Sequence, residues 1–356
     1  GSVQGENNNI GGLIGAAQPD DTVSDSYWDK STSGLSTSAG GLGLTSDDMK
    51  TAASFKGFTF TSKPGEAGWV IIDVDGTLNN ANGAAGATYP IRASKYSTTI
   101  SNAHQLQLMA LAPDASYRLS NDIIVLDTAV SVDLGFLPIG TSSVPFSGSF
   151  DGKNYTISNL TINRSDLSGV GLFGQTSGAT IKNVGLVEAN VNGHSQVGGL
   201  VGVMNGGTLV NSYVMGRVTG SAEDVGGLVG SNGSTISNCY AKASVSGAGG
   251  GVGGLVGHNA DNGQINQSYA AGSVAGSGSN VGGLLGENTG SVTSSYWDTT
   301  VSGQSKGIGA GTTTGANGLS TAQMQSSSAF SGWNIADNGG SSEVWRIYQG
   351  KTMPLL

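Results

Sequence analysis

Residues 197–218 open with Val197-Gly198-Gly199-Leu200-Val201-Gly202, pass through Leu209-Val210-Asn211-Ser212-Tyr213-Val214 and close on Val218. The same order recurs along the chain. A Gly-Leu-x-Gly element is centred on Leu172, Leu200, Leu228, Leu255 and Leu284, at spacings of 28, 28, 27 and 29 residues. The second element returns as Ile181-Lys182-Asn183-Val184, Ile236-Ser237-Asn238-Cys239-Tyr240, Ile265-Asn266-Gln267-Ser268-Tyr269 and Val292-Thr293-Ser294-Ser295-Tyr296. Val191, Val218, Val245 and Val274 close successive copies. Short alternating segments between Gly, Asn and Ser corners are the signature of strands.

A unit of this length cannot bury its own apolar face and must stack on a copy of itself. Stacking sets equivalent residues about 4.8 Å apart, so one residue type recurs at one corner. The density of glycine and β-branched residues argues against helix. The expected fold is all-β, a right-handed parallel β-helix (a β-solenoid) with rungs of about 28 residues and a non-solenoid closing region. The paired glycines are expected to supply unusual backbone angles. The slot of Asn183, Asn211, Asn238 and Gln267 is expected to form an amide ladder.

Composition agrees with a folded chain of this kind. Of 356 residues, 61 are Gly and 11% are charged, yet 37% are apolar. Disordered chains instead combine low hydrophobicity with high charge. The net charge of −9 and the scattered basic residues offer no patch for nucleic acid or anionic membrane. No apolar stretch reaches the length needed to span a bilayer. One cysteine, Cys239, precludes an internal disulfide framework. Gly1-Ser2 reads as the scar of a cleaved tag, with export signals expected on a longer parent.

A longer period overlies the short one. Ser26-Tyr27-Trp28-Asp29 reappears as Ser295-Tyr296-Trp297-Asp298, and Phe55-Lys56-Gly57-Phe58 as Phe330-Ser331-Gly332-Trp333, offset by roughly 270 residues. The expected organisation is a closing region of a preceding module over 1–78, a linker over 79–98, the solenoid over 99–299 and a closing region over 300–356. A short helix capped by Ser101 is expected to reach Leu111, and Tyr117-Arg118-Leu119 with Ile123-Ile124-Val125-Leu126 to open the first rungs. Phe330, Trp333, Val344-Trp345 and Leu355-Leu356 are expected to cover one end of the solenoid, with Trp28 and Trp297 over the open core.

These elements resemble the GLUG-motif repeats of large secreted bacterial proteins, including filamentous-haemagglutinin-like adhesins and some immunoglobulin-A-cleaving metallopeptidases. The resemblance rests on Gly199-Leu200-Val201-Gly202 and its siblings, on Phe146-Ser147-Gly148-Ser149-Phe150-Asp151-Gly152 and on the Ser-Tyr-Trp-Asp segment. It implies secretion or cell-surface display and a β-helix, and it carries over no catalytic residue.

Pectin-cleaving β-helices need clustered aspartates with a Gly-His-Gly element. Here neither Gly193-His194-Ser195 nor Gly257-His258-Asn259 has an obvious carboxylate partner within its own repeat. No His-Glu-x-x-His occurs, and His104 reads as a surface residue. Cys239 fills a small-residue slot shared with Ser212, Ser268 and Ser295. Asp73 and Asp75, in Asp73-Val74-Asp75-Gly76, are the candidate Ca2+ ligands, although the rest of a twelve-residue loop is missing. Tyr213, Tyr240, Tyr269 and Tyr296 share one slot and, by alternation, form an exterior ladder. That ladder either stiffens the sheet or offers aromatic faces to sugar rings. The expected function is therefore non-catalytic adhesion or scaffolding. Partners would be polysaccharide, host or bacterial surface glycans, or sister adhesin molecules, engaged by a monomeric fragment. A passive stalk and an accessory region of a secreted hydrolase or peptidase are the rivals.

Overall fold

The computed structural model describes residues 1–5, 9–125, 134–337 and 342–356; Leu126, one of the residues expected to open the solenoid, lies outside them. Among the described residues, three parallel sheets stack rung upon rung into a β-solenoid. One runs from Thr99–Ile100 through Val201–Val210 and Val229–Ser237 to Ile308–Gly311, and a second from Ile123–Ile124 through Gly185–Gly193 and Tyr213–Gly220 to Ala316–Leu319. The third is narrow and joins Val197–Gly198, Val225–Gly226, Val252–Gly253 and Val281–Gly282.

The apolar slots become columns. Ile181, Leu209, Ile236, Ile265 and Val292 pair in register. Val191, Val218, Val245 and Val274 do the same. Together with Leu172, Leu200, Leu228, Leu255 and Leu284 they belong to one buried cluster running from Ile100 to Ile308. Each such side chain contributes about 1.5–3 kcal/mol by leaving water.

The glycine pairs do a different job from the one expected. Gly198, Gly226, Gly253 and Gly282 have ordinary backbone angles. A Cβ on them would lie 2.0–2.1 Å from the carbonyl oxygen three residues on, and 2.6–2.7 Å from a backbone nitrogen of the next rung. They are required because backbone passes against backbone. Left-handed angles are found instead at Asn183, Asn211, Asn238, Gln267 and Ser294, with φ of 44–56°. Asparagine is among the residues that tolerate this region best.

The expected amide ladder is correspondingly slight. Asn211 Nδ2 donates to Asn183 Oδ1 at 3.3 Å, and Gln267 turns away to Gly332 O. A stronger ladder stands elsewhere. Asn232 Nδ2 donates to Asn259 Oδ1 and Asn259 Nδ2 to Asn288 Oδ1, each at 2.8 Å, and Asn288 Nδ2 donates to Thr312 O. All three asparagines are buried. Such amides cost heavily if any partner is lost.

The termini also differ from expectation. The short helix is Ala103–Gln107, continued as a 3-10 turn over Leu108–Leu111, and its cap is Asn102, whose carboxamide oxygen accepts from Gln105 N. Residues 79–98 are packed rather than free. Ile91–Arg92 pairs antiparallel with Trp69–Val70, while Ala87 and Ala93 are buried in small clusters. Over 300–319 the chain adds a partial rung, with Ile308–Gly311 on Leu285–Asn288 and Ala316–Leu319 on Ser295–Asp298. Trp297 closes this end of the core, its ring lying against Gly283 and Gly307. The aromatic part of the closing region folds back along one side of the solenoid instead of covering an end.

Gly226→Ala should lower unfolding free energy by about 2–4 kcal/mol, because backbone atoms must move to admit one methyl group. Gly250→Ala should be nearly neutral, since nothing lies within 4 Å of its Cβ position. Urea titration of the two variants reads the difference, and equal midpoints would contradict the close-approach account.

Candidate functional site

The second sheet turns alternate residues outward, and its outer face falls into two halves. At the strand starts stands the tyrosine ladder, paired as Tyr213, Tyr240, Tyr269 and Tyr296. The rings of Tyr213 and Tyr240 are 4.8 Å apart and parallel within 1°, and those of Tyr240 and Tyr269 are 5.0 Å apart. Inward neighbours Ser212, Val214, Cys239 and Ala241 are fully buried, so the ladder is exterior to the core as alternation requires.

The ladder is nevertheless not open to a ligand along its length. Tyr240, Tyr269 and Tyr296 are 4%, 0% and 6% exposed, beneath Met324, Phe330, Trp333, Trp345 and Ile347. Tyr269 Oη donates to Pro354 O, and Trp333 Nε1 donates to Ser294 O. Burial raises the phenol pKa of all four tyrosines. A sugar platform on these rings is thus overturned for three of the four by the chain's own cover. The sequence could not show this, because Phe330, Trp333 and Trp345 lie 34 to 105 residues downstream of the three tyrosines they cover. Tyr213 remains half-buried at the margin.

The other half of the face is open and polar. Asn190, Arg217 and Ser244 form one outward column, which the Ser273 hydroxyl beside Ser244 continues, and Asn163, Asn192, Thr219 and Ser246 form another. Asn192 Nδ2 donates to Asn163 Oδ1 at 2.9 Å, and Ser244 and Ser273 hydroxyls are 2.9 Å apart. Met215 and Arg217 continue the outward set from Tyr213. A flat sheet of hydroxyls and amides repeating at rung spacing can hydrogen-bond an extended polar polymer. The sequence displayed these residues, but their columns needed the register of the stack.

Asp73 is buried, and its carboxylate accepts from Asn80 N and Thr77 Oγ1, while Asp75 accepts from Thr77 N and Oγ1. Burial raises the Asp73 pKa, and the Thr77 bonds lower that of Asp75. Both carboxylates thereby close their own turn. Among the described residues no group of three or more His, Cys, Asp or Glu is placed to hold a metal ion. Cys239 is fully buried, its thiol pushed up to about 12 by desolvation, in the column of Ser212, Ser268 and Ser295. His258 does have a carboxylate neighbour, 4.0 Å away, but it is Asp224 of the preceding rung. His194 meets Ser221 at 2.9 Å, also across rungs. Neither pair is visible within a single repeat, because a parallel stack brings the nearest partner from an adjacent rung.

Known proteins match parts of the chain. The family model described as the GLUG motif matches residues 221–246. Halomucin of Haloquadratum walsbyi is 36% identical over 168 residues, covering 44% of this chain and 2% of halomucin. Immunoglobulin A1 protease of Streptococcus sanguinis is 35% identical over 82 residues, covering 23% of this chain and 4% of the protease. A solved structure from Bacteroides ovatus, of a protein assigned as a candidate immunoglobulin A1 protease, aligns with a TM-score of 0.47 and 26% identity over 56% of this chain and 65% of its own. The chain thus carries the GLUG motif and spans a few per cent of the length of the two curated relatives.

Asp224 gives a pH signature. Burial, with repulsion from Glu223 and Glu287, raises its pKa to about 6 against the attraction of His258. A raised carboxyl pKa means that the folded state binds the proton more tightly, so stability falls as pH rises from about 4 through 6. Asp224→Asn should flatten that decline in Tm, and asparagine suits the left-handed backbone there, φ 60°. A variant with the same slope as the parent would remove Asp224 as the cause.

Proposed function

We propose that the chain is a non-catalytic adhesive and scaffolding module of a secreted or cell-surface bacterial protein, of the filamentous-haemagglutinin-like kind. It would bind glycans or biofilm-matrix polysaccharide through the open polar half of the second sheet. The observation that carries this reading is the pair of outward columns, Asn190–Arg217–Ser244 continued by Ser273 and Asn163–Asn192–Thr219–Ser246, held on one continuous core. Contacts repeated at each rung suit a repeating polymer, where many weak interactions combine. The net charge of −9 disfavours nucleic acid. Among the described residues no helix is long and apolar enough to cross a membrane.

A second reading is an accessory region of a large secreted peptidase. The likeness of 82 residues to an immunoglobulin A1 protease favours it. In that setting the solenoid would hold a catalytic region elsewhere at a distance, or present it to its substrate.

Binding of the purified chain to an array of host and bacterial polysaccharides, with and without calcium, separates these readings. Specific binding is expected, and Asn190→Lys with Ser244→Lys should weaken it at least tenfold without altering the far-ultraviolet circular dichroism. A folded chain that binds no polysaccharide would leave the stalk or accessory role in its place.

A further inference from the structure

The closing fold is present twice, and the two copies differ in what lies against the aromatic cover. Asp29 accepts from the Ser31 and Thr32 amides and from Ser46 Oγ, as Asp298 accepts from Thr300, Val301 and Thr321 Oγ1. Gly34 and Gly303 end the two short helices with φ of 73° and 70°. Tyr27 meets Phe55 edge-on at 4.9 Å, as Tyr296 meets Phe330 at 5.0 Å. Phe58 lies 4.6 Å from Trp69, as Trp333 lies 4.7 Å from Trp345.

In the second copy the cover has a ladder beneath it. Trp345 lies 6.2 Å from Tyr240 and 5.9 Å from Tyr269, and it is 1% exposed. Strand Ser295–Asp298 is paired on both sides, to Tyr269–Ala270 and to Ala316–Leu319. In the first copy Trp69 is half-buried, and the Arg92 guanidinium lies 4.7 Å over its ring. Strand Tyr27–Asp29 pairs with Leu42–Leu44 alone among the described residues. Beside it runs a cleft of about 830 Å³ whose lining includes Tyr27, Trp28, Trp69, Tyr89, Arg92 and His104.

We infer that this cleft docks a further rung of the same repeat, seated parallel to Tyr27–Asp29 with its ladder tyrosine beneath Trp69. Three observations select this occupant. The second copy shows the same cover filled by such rungs. An edge strand with an aromatic roof lacks only the backbone partners that a parallel strand supplies. Finally, Gly11-Gly12-Leu13-Ile14-Gly15 matches Gly282-Gly283-Leu284-Leu285-Gly286, so the chain ahead of Tyr27 repeats the rung that follows Tyr269–Ala270 in the second copy. In the second copy Tyr296 N donates to Ser268 O of the preceding rung at 3.0 Å, and Tyr27 N would do the same. The inference concerns how modules join and stands whether or not the solenoid binds glycans.

The test adds a second copy of residues 225–271 directly ahead of Gly1 of the full chain. Amide exchange at Tyr27 should slow at least tenfold, and tryptophan emission should shift to the blue. Both changes should disappear when the added copies of Tyr240 and Tyr269 are changed to lysine. Unchanged exchange at Tyr27, with circular dichroism showing the added rungs folded, would overturn the inference. So would polygalacturonate binding that Arg92→Ala abolishes and that the added rungs leave intact, because the cleft would then be a saccharide site.

Discussion

Everything in the solenoid depends on how closely one rung's backbone can approach the next at the glycine corners. At Gly226 or Gly253 there is no room for a single methyl group, since carbonyl oxygen and amide nitrogen of neighbouring segments occupy the space. This contact sets the turn that lets Leu228 or Leu255 point inward, and so lets the leucine column close the core. A solenoid core is only a few side chains wide, and its stability comes from repetition along the axis. The same close approach therefore recurs at Gly198, Gly226, Gly253 and Gly282. Equal spacing follows from the same constraint, and with it the parallel register that places like residues over like.

Register then produces chemistry that no single repeat contains. Asn232, Asn259 and Asn288 satisfy one another inside the stack, where a lone buried amide would be costly. Asp224 and His258 meet across rungs, as do His194 and Ser221. On the outer face, the same translation lines up tyrosines on one half and hydroxyls with amides on the other. Stacked phenol rings leave a broad apolar strip that water would otherwise cover. The closing region removes it by laying Phe330, Trp333 and Trp345 across the rings, which also ties rungs separated by many residues into one body. The polar half stays open to solvent.

The sequence by itself determined the architecture. The interval of 27 to 29 residues, the glycine pairs and the recurring Ile, Leu and Val slots admit little but a stack of β-rungs, and the recurrence of Tyr-Trp-Asp marks two closing regions. It also determined which side of the strand the tyrosines occupy, because alternation with the buried Ser212 and Cys239 fixes it. Tertiary structure alone decided what lies against each surface. Whether the glycines serve torsion or close approach depends on the distance to a rung almost thirty residues away. Whether the ladder is bare or roofed depends on where residues 323–355 fold, and apolar content there is equally compatible with covering an end or a side. Local pattern fixes the direction of a side chain relative to its own strand, whereas its neighbours come from distant parts of the chain, and only the packed chain specifies them.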